Sequence, residues 1–93
     1  MFDRVLRELR DRIRSRRFVL TVHADDELDD DGLTILDVER CILTGRIVER
    51  QKDGDTGEWK YLVEGQSVAD NAMVVVCKLG PTGKAVIITV YAV

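Results

Sequence analysis

The apolar pattern of this chain changes period once, at Gly45, and that change limits what the chain can fold into. Before Gly45 apolar residues recur every three or four positions, the spacing of a helical face; after it they alternate, the spacing of a half-buried strand. Phe2, Val5, Leu6, Leu9 and Ile13 predict a first helix over about residues 2–16. Phe18 to Val22 is short, apolar and partly β-branched, a brief extended segment before a second helix over about residues 23–31. Only Ala24 and Leu28 of that helix look inward, and Gly32 is placed to stop it. Thr34 then caps a third helix with Asp37 at the capping-box offset, and Gly45 ends it after an apolar face of Val38, Cys41 and Ile42, with Leu36 beside them.

Past Gly45, Ile47 and Val48 begin a strand and Asp53 to Gly57 turn it. Trp59, Tyr61 and Val63 then alternate with Lys60, Leu62 and Glu64 on the return. Met73–Leu79 and Lys84–Tyr91 form a second hairpin around Gly80-Pro81-Thr82-Gly83. The order implies an α+β fold, with N-terminal helices packed on a four-stranded, mainly antiparallel sheet. With 93 residues, 45% of them hydrophobic, a single domain over residues 1–93 is expected.

Charge is segregated rather than large. Residues 1–17 carry seven arginines against three acids, residues 23–39 carry eight acids and no lysine or arginine, and the net charge is −3. Arg4, Arg7, Arg10, Arg14 and Arg17 line up on the first helix as a solvated face that attracts the acidic run; the other reading is a track for a polyanion. Neither a signal peptide nor a membrane span is expected, and Cys41 and Cys77 read as reduced core thiols of a cytoplasmic protein rather than a disulfide. Neither the cysteine spacing nor the acidic run Asp25 to Asp31 fits a zinc or calcium motif, so no metal or cofactor is expected.

His23, the only histidine, stands where the extended segment meets the acidic helix. It is the one side chain whose ordinary pKa suits proton transfer near neutral pH. The plainer reading is a capping or hydrogen-bonded structural residue.

The run Val22-His23-Ala24, the charged helix after it, Gly32-Leu33-Thr34, the Val38–Gly45 helix with its Ile-Leu-Thr-Gly ending and the closing Ile87-Ile88-Thr89-Val90-Tyr91 resemble the domain-of-unknown-function 4258 group. The resemblance covers about residues 18–93 and leaves residues 1–17 as an added basic helix. It implies a RelE/barnase-like fold of the barnase, EndoU, colicin and RelE-like ribonuclease superfamily. It also implies an MqsR-like mRNA interferase, the toxin of a type II toxin–antitoxin pair, held in check by a zinc-finger antitoxin of the MqsA or YgiT type. Many members of the group carry arginines in the helix after the His-Ala pair, where this chain has Asp25 and Glu27. That departure motivates the alternative of a non-catalytic protein- or RNA-binding module that keeps the fold.

Metal-independent RNA cleavage needs a base near the 2′-hydroxyl, an acid near the 5′-oxygen and cations around the phosphorus. On this plan His23, Lys60 and Tyr91 are the catalytic candidates, and Lys78, Lys84, Thr89 and Arg46 the RNA-binding ones. If the helices cover Val86, Ile88 and Val90 on the last strand, Thr89 and Tyr91 fall on the open face, where RNA-binding sheets stack bases. In the plainer reading Trp59 and Tyr61 pack the core and Lys60 and Lys78 are ordinary strand lysines. The substrate would be mRNA, free or on the ribosome, and the free protein a monomer or weak dimer with no membrane partner.

Overall fold

Helical and alternating periods fall where the sequence places them in the computed structural model, which describes residues 1–93. The elements are α1 (Asp3–Arg14), β1 (Phe18–Leu20), α2 (Val22–Asp31), α3 (Ile35–Thr44), β2 (Arg46–Lys52), β3 (Trp59–Gln66), β4 (Ala72–Leu79) and β5 (Ala85–Ala92). The layout is α+β, but the sheet has five strands in the order β1-β5-β4-β3-β2 rather than four. The fifth is Phe18–Leu20, which pairs in parallel with β5 and makes the sheet mixed. Three residues are too few to show a period. They become a strand because β5 offers an open edge: Ala85 N–H donates to the Arg17 carbonyl and Thr21 N–H to that of Ile87.

One core joins the helices to the sheet. Leu9 and Ile13 of α1, Ala24 and Leu28 of α2, and Val38, Cys41 and Ile42 of α3 pack with Val63, Val75, Cys77 and Ile87, among others, from the strands. The expected inward row Val86, Ile88 and Val90 is not the one seen; Ala85, Ile87 and Val90 are buried in that core. A bulge explains it: Cys77 pairs with Ile87 but Val76 pairs with Thr89, so Ile88 is extra and the side-chain phase shifts. Thr89 and Tyr91, as expected, lie on the open face, alongside Val76 and Val74.

α1 is part of the core rather than an appendage, and its arginines are not a uniform solvated stripe. Arg10 donates to the carbonyls of Ile42 (3.1 Å) and Gly45 (2.7 Å), meeting acceptors that the end of α3 leaves over. Arg12 does the same for Gly83, and Phe2 meets Tyr61 edge to face at 6.2 Å. The remaining ion pairs of α1 and the turn after it go to Glu8, Asp11 and Glu39, and none reaches the acids of α2.

α3 approaches the sheet closely because two glycines face its C-terminal turn. A Cβ on Gly65 or Gly45 would collide with the Cys41 carbonyl oxygen. Cys41 and Cys77 are free and buried, and burial pushes both thiols up to about 12. At the other end of α3, Asp37 is buried and joins two elements. Its Oδ2 accepts Thr34 N–H and its Oδ1 accepts Val68 N–H, each at 2.8 Å. Burial alone would raise this carboxyl; the hydrogen bonds from Val68 and Thr34 outweigh it and hold the group below its ordinary 3.8.

Two outcomes follow for stability. Gly65→Ala should lose about 3 kcal/mol in urea unfolding, since backbone rather than a movable side chain blocks the added methyl. Asp37→Ala should cost about 2 kcal/mol near neutral pH. The native carboxyl titrates lower than the unfolded one, so its contribution is complete above the ordinary 3.8 and is lost as pH falls through the depressed native value. Urea titrations of the wild type and Asp37→Ala from about pH 2 to about pH 6, roughly two units either side of the ordinary 3.8, should therefore show the gap narrowing only at the acid end.

Candidate functional site

Thr21 sets the geometry around His23. Its N–H donates to the Ile87 carbonyl (3.0 Å), its hydroxyl donates to the Ile88 carbonyl (3.1 Å), and its Oγ1 accepts Ala24 N–H (3.1 Å) as the N-cap of α2. One residue thus ends β1, engages the bulge of β5 and starts the helix. His23 is the second residue of α2, at the helix start where the sequence places it. Its side chain is 68% exposed, and Nε2 lies 3.3 Å from Oε1 of Glu27, one turn along.

Glu27 is more enclosed, 24% exposed, and the same Oε1 accepts Val90 N–H at 3.0 Å. That amide is free because β1 stops at Leu20 and the bulge turns Val90 toward the vacated edge. The carboxylate takes the place of a backbone carbonyl on a strand partner. Tyr91, the next residue, is partly exposed on the open face. His23 and Glu27 are carried by α2, which packs along β5, whereas Thr89 and Tyr91 are carried by β5 itself and face the open side of the sheet.

The lysines do not join them. Extending the β3–β4 register by one pair puts Lys60 opposite Lys78, whereas Tyr91 is level with Val74. Two strands across and four residues along separate Lys60 from Tyr91 by roughly 16 Å between Cα atoms. Lys78 donates to Glu58 Oε1 at 3.1 Å, which neutralises it. Lys84 precedes β5 at that same distant end, and its carbonyl accepts Gly80 N–H. Arg46 shares a cross-strand row with Glu64, Val74 and Tyr91, three strands from Tyr91, and borders a shallow groove of about 430 Å³ with Gly45, Glu64, Gly65 and Gln66.

Tyr61 is buried as expected, but Trp59 is not core. It is 40% exposed at the turn end of the β2–β3 hairpin, where it pairs with Lys52, with the Arg50 guanidinium 4.1 Å from the ring centroid and Lys52 Nζ at 5.7 Å. Alternation placed both aromatics on one face but could not show that the core ends between them. Sequence reasoning also missed Thr21 and Glu27. A threonine three residues before Ala24 is a readable N-cap signal, and the i, i+4 offset of Glu27 from His23 was readable too, hidden within a run of acids. Asp25, Asp26, Asp29, Asp30 and Asp31 all remain exposed.

Residues 20–92 match the family described as Domain of unknown function (DUF4258). No curated protein and no solved structure matches the chain. No helix is long and apolar enough to cross a membrane.

Thr21→Val keeps the β-branched shape but removes both hydroxyl hydrogen bonds. It should lower stability by about 1–2 kcal/mol and speed hydrogen exchange at Ala24 and the first turn of α2 before it affects the central strands β3 and β4.

Proposed function

The chain belongs to the DUF4258 family, and from that premise we propose that it is the toxin of a type II toxin–antitoxin pair, a metal-independent endoribonuclease acting on mRNA. The observation that carries this reading is the placement of His23. An exposed imidazole stands on the first turn of α2, beside the strand that turns Thr89 and Tyr91 onto the open face.

In this reading RNA lies across the open face, and His23 takes the proton of the 2′-hydroxyl as that oxygen attacks phosphorus. Tyr91 protonates the departing 5′-oxygen, and Thr89 donates a hydrogen bond to the phosphate. Lys60 is too distant from Tyr91 to share in proton transfer, so it holds the RNA backbone, as do Lys84 and Arg46 farther along the sheet. A zinc-finger antitoxin of the MqsA or YgiT type would block this face, and the substrate puts the protein in the cytoplasm.

A second reading, a non-catalytic binding module, draws on the outer side of α2. Five exposed aspartates beside His23 repel phosphate and lack a cationic partner among the ion pairs.

Induced expression in a bacterium, followed by growth and RNA integrity, tests the choice. Wild type should arrest growth and fragment mRNA, His23→Ala should abolish both, and Tyr91→Phe should slow cleavage roughly tenfold or more. Wild-type protein that is harmless and leaves RNA intact would favour the binding module.

A further inference from the structure

We propose that Glu27 is the positioning residue of His23: it engages the Nε2 side of the ring and presents Nδ1 as the working nitrogen. The part concerning catalysis rests on the ribonuclease reading; the ring geometry does not.

An ordinary i, i+4 pair on an exposed helix is weak because both side chains wander. Here one partner is tethered. Oε1 of Glu27 accepts Val90 N–H at 3.0 Å, and Val90 is held in place by the bulge and by its pairing with Val75. The same oxygen lies 3.3 Å from Nε2 of His23, so a carboxylate anchored to β5 sets where the imidazole stands. One amino acid beyond the anchored amide is Tyr91. A single oxygen therefore links the helix bearing the proposed base to the strand bearing the proposed acid.

Elements packed against α2 offer little competition. β1 contributes Phe18, Val19 and Leu20, none of them ionisable; β5 contributes the Tyr91 phenol; α2 itself adds Asp26, one turn from His23, and Glu27. Only Glu27 is at ion-pair distance from the ring. A carboxylate facing Nε2 favours the tautomer that keeps its hydrogen there, leaving the Nδ1 lone pair free.

The chemistry then balances. The 2′-O–H bond breaks as Nδ1 takes the proton, and the positive ring that results faces the Glu27 carboxylate. The 2′-oxygen bonds to phosphorus, the bond from phosphorus to the 5′-oxygen breaks, and that oxygen takes the phenolic proton of Tyr91. Imidazolium and phenolate return to their starting forms by proton exchange through water.

Two variants separate positioning from anchoring. Glu27→Gln keeps a carbonyl oxygen for Val90 N–H but removes the charge; Glu27→Ala removes both, and Asp26→Ala is the control. NMR of the free wild-type protein should show one χ1 rotamer and the Nε2–H tautomer for neutral His23. Both should average in Glu27→Ala but not in Asp26→Ala. In RNA cleavage, Glu27→Gln should lower kcat roughly tenfold with KM unchanged and with Val90 amide protection retained, the size of effect expected when a supporting hydrogen-bond partner is lost. Rotamer averaging in the wild type, unchanged ring behaviour in Glu27→Ala, or normal kcat in Glu27→Gln would overturn the proposal. An inactive wild type with the ordered ring would instead remove the ribonuclease reading and leave the ring assignment standing.

Discussion

Ala85 donates its amide hydrogen to Arg17 and Ile87 accepts one from Thr21, so the first strand closes in parallel on the last. Five of the eight elements, α2 to β4, lie between those two segments, and most of the architecture depends on their meeting. The pairing places α1 just before the seam and α2 just after it, and both helices contribute to the same core. Its cost is entropic: ends more than sixty residues apart must be brought together for three paired residues. Ladder bonds alone repay little of that. The apolar side chains Phe18 and Leu20 packed against the core, and the three hydrogen bonds of Thr21, add the rest of the local return.

The short length of β1 also creates the site. A longer strand would have consumed the Val90 amide in ordinary pairing; because β1 stops at Leu20, the amide is left for a side chain to satisfy. Glu27 satisfies it from α2, and a buried backbone donor becomes the reason why a partly enclosed carboxylate sits beside an exposed histidine. The bulge at Ile88 completes the arrangement by keeping Val90 in the core while Thr89 and Tyr91 face outward. Without it, the inward phase begun by Ala85 and Ile87 would carry Thr89 and Tyr91 into the core.

These relations mark where sequence reading stops. The change of period at Gly45, the three helices, the two hairpins and the buried cysteines are local signals, and each reappears in the structure. Gly32 ends α2 with φ of 66°, and Asp37 reaches Thr34 although glutamate is the usual partner at that offset. The pairing of the extended segment Phe18–Leu20 with β5, the bulge and the exposure of Trp59 are different in kind. Each depends on what a distant segment offers: an open edge on β5, an unmatched residue opposite β4, a core that ends short of the hairpin tip. The family match begins at residue 20 and leaves out α1, yet Leu9, Ile13 and the Arg10 hydrogen bonds make that helix part of the fold here. His23 could be singled out as a titratable residue, whereas its partner could not, because Glu27 gains its role from a backbone amide 63 residues away.

Electrostatics then bears on how a polyanion could approach. The exposed aspartates of α2 act strongly only within a Debye length, about 8 Å at physiological salt. Their field therefore covers the His23 end of the sheet but not the end with Lys60 and Lys84, where unpaired cations remain. Lys78 is cancelled by Glu58, so those two lysines carry the positive charge of that end on the open face. On the proposed ribonuclease reading, RNA would be captured at the lysine end and reach His23 against a repulsive flank. Affinity and cleavage would then be governed by opposite ends of one surface, with salt weakening capture while easing the final approach. A binding module has no need of that second step, and for it the acidic flank would be a surface for a basic partner instead.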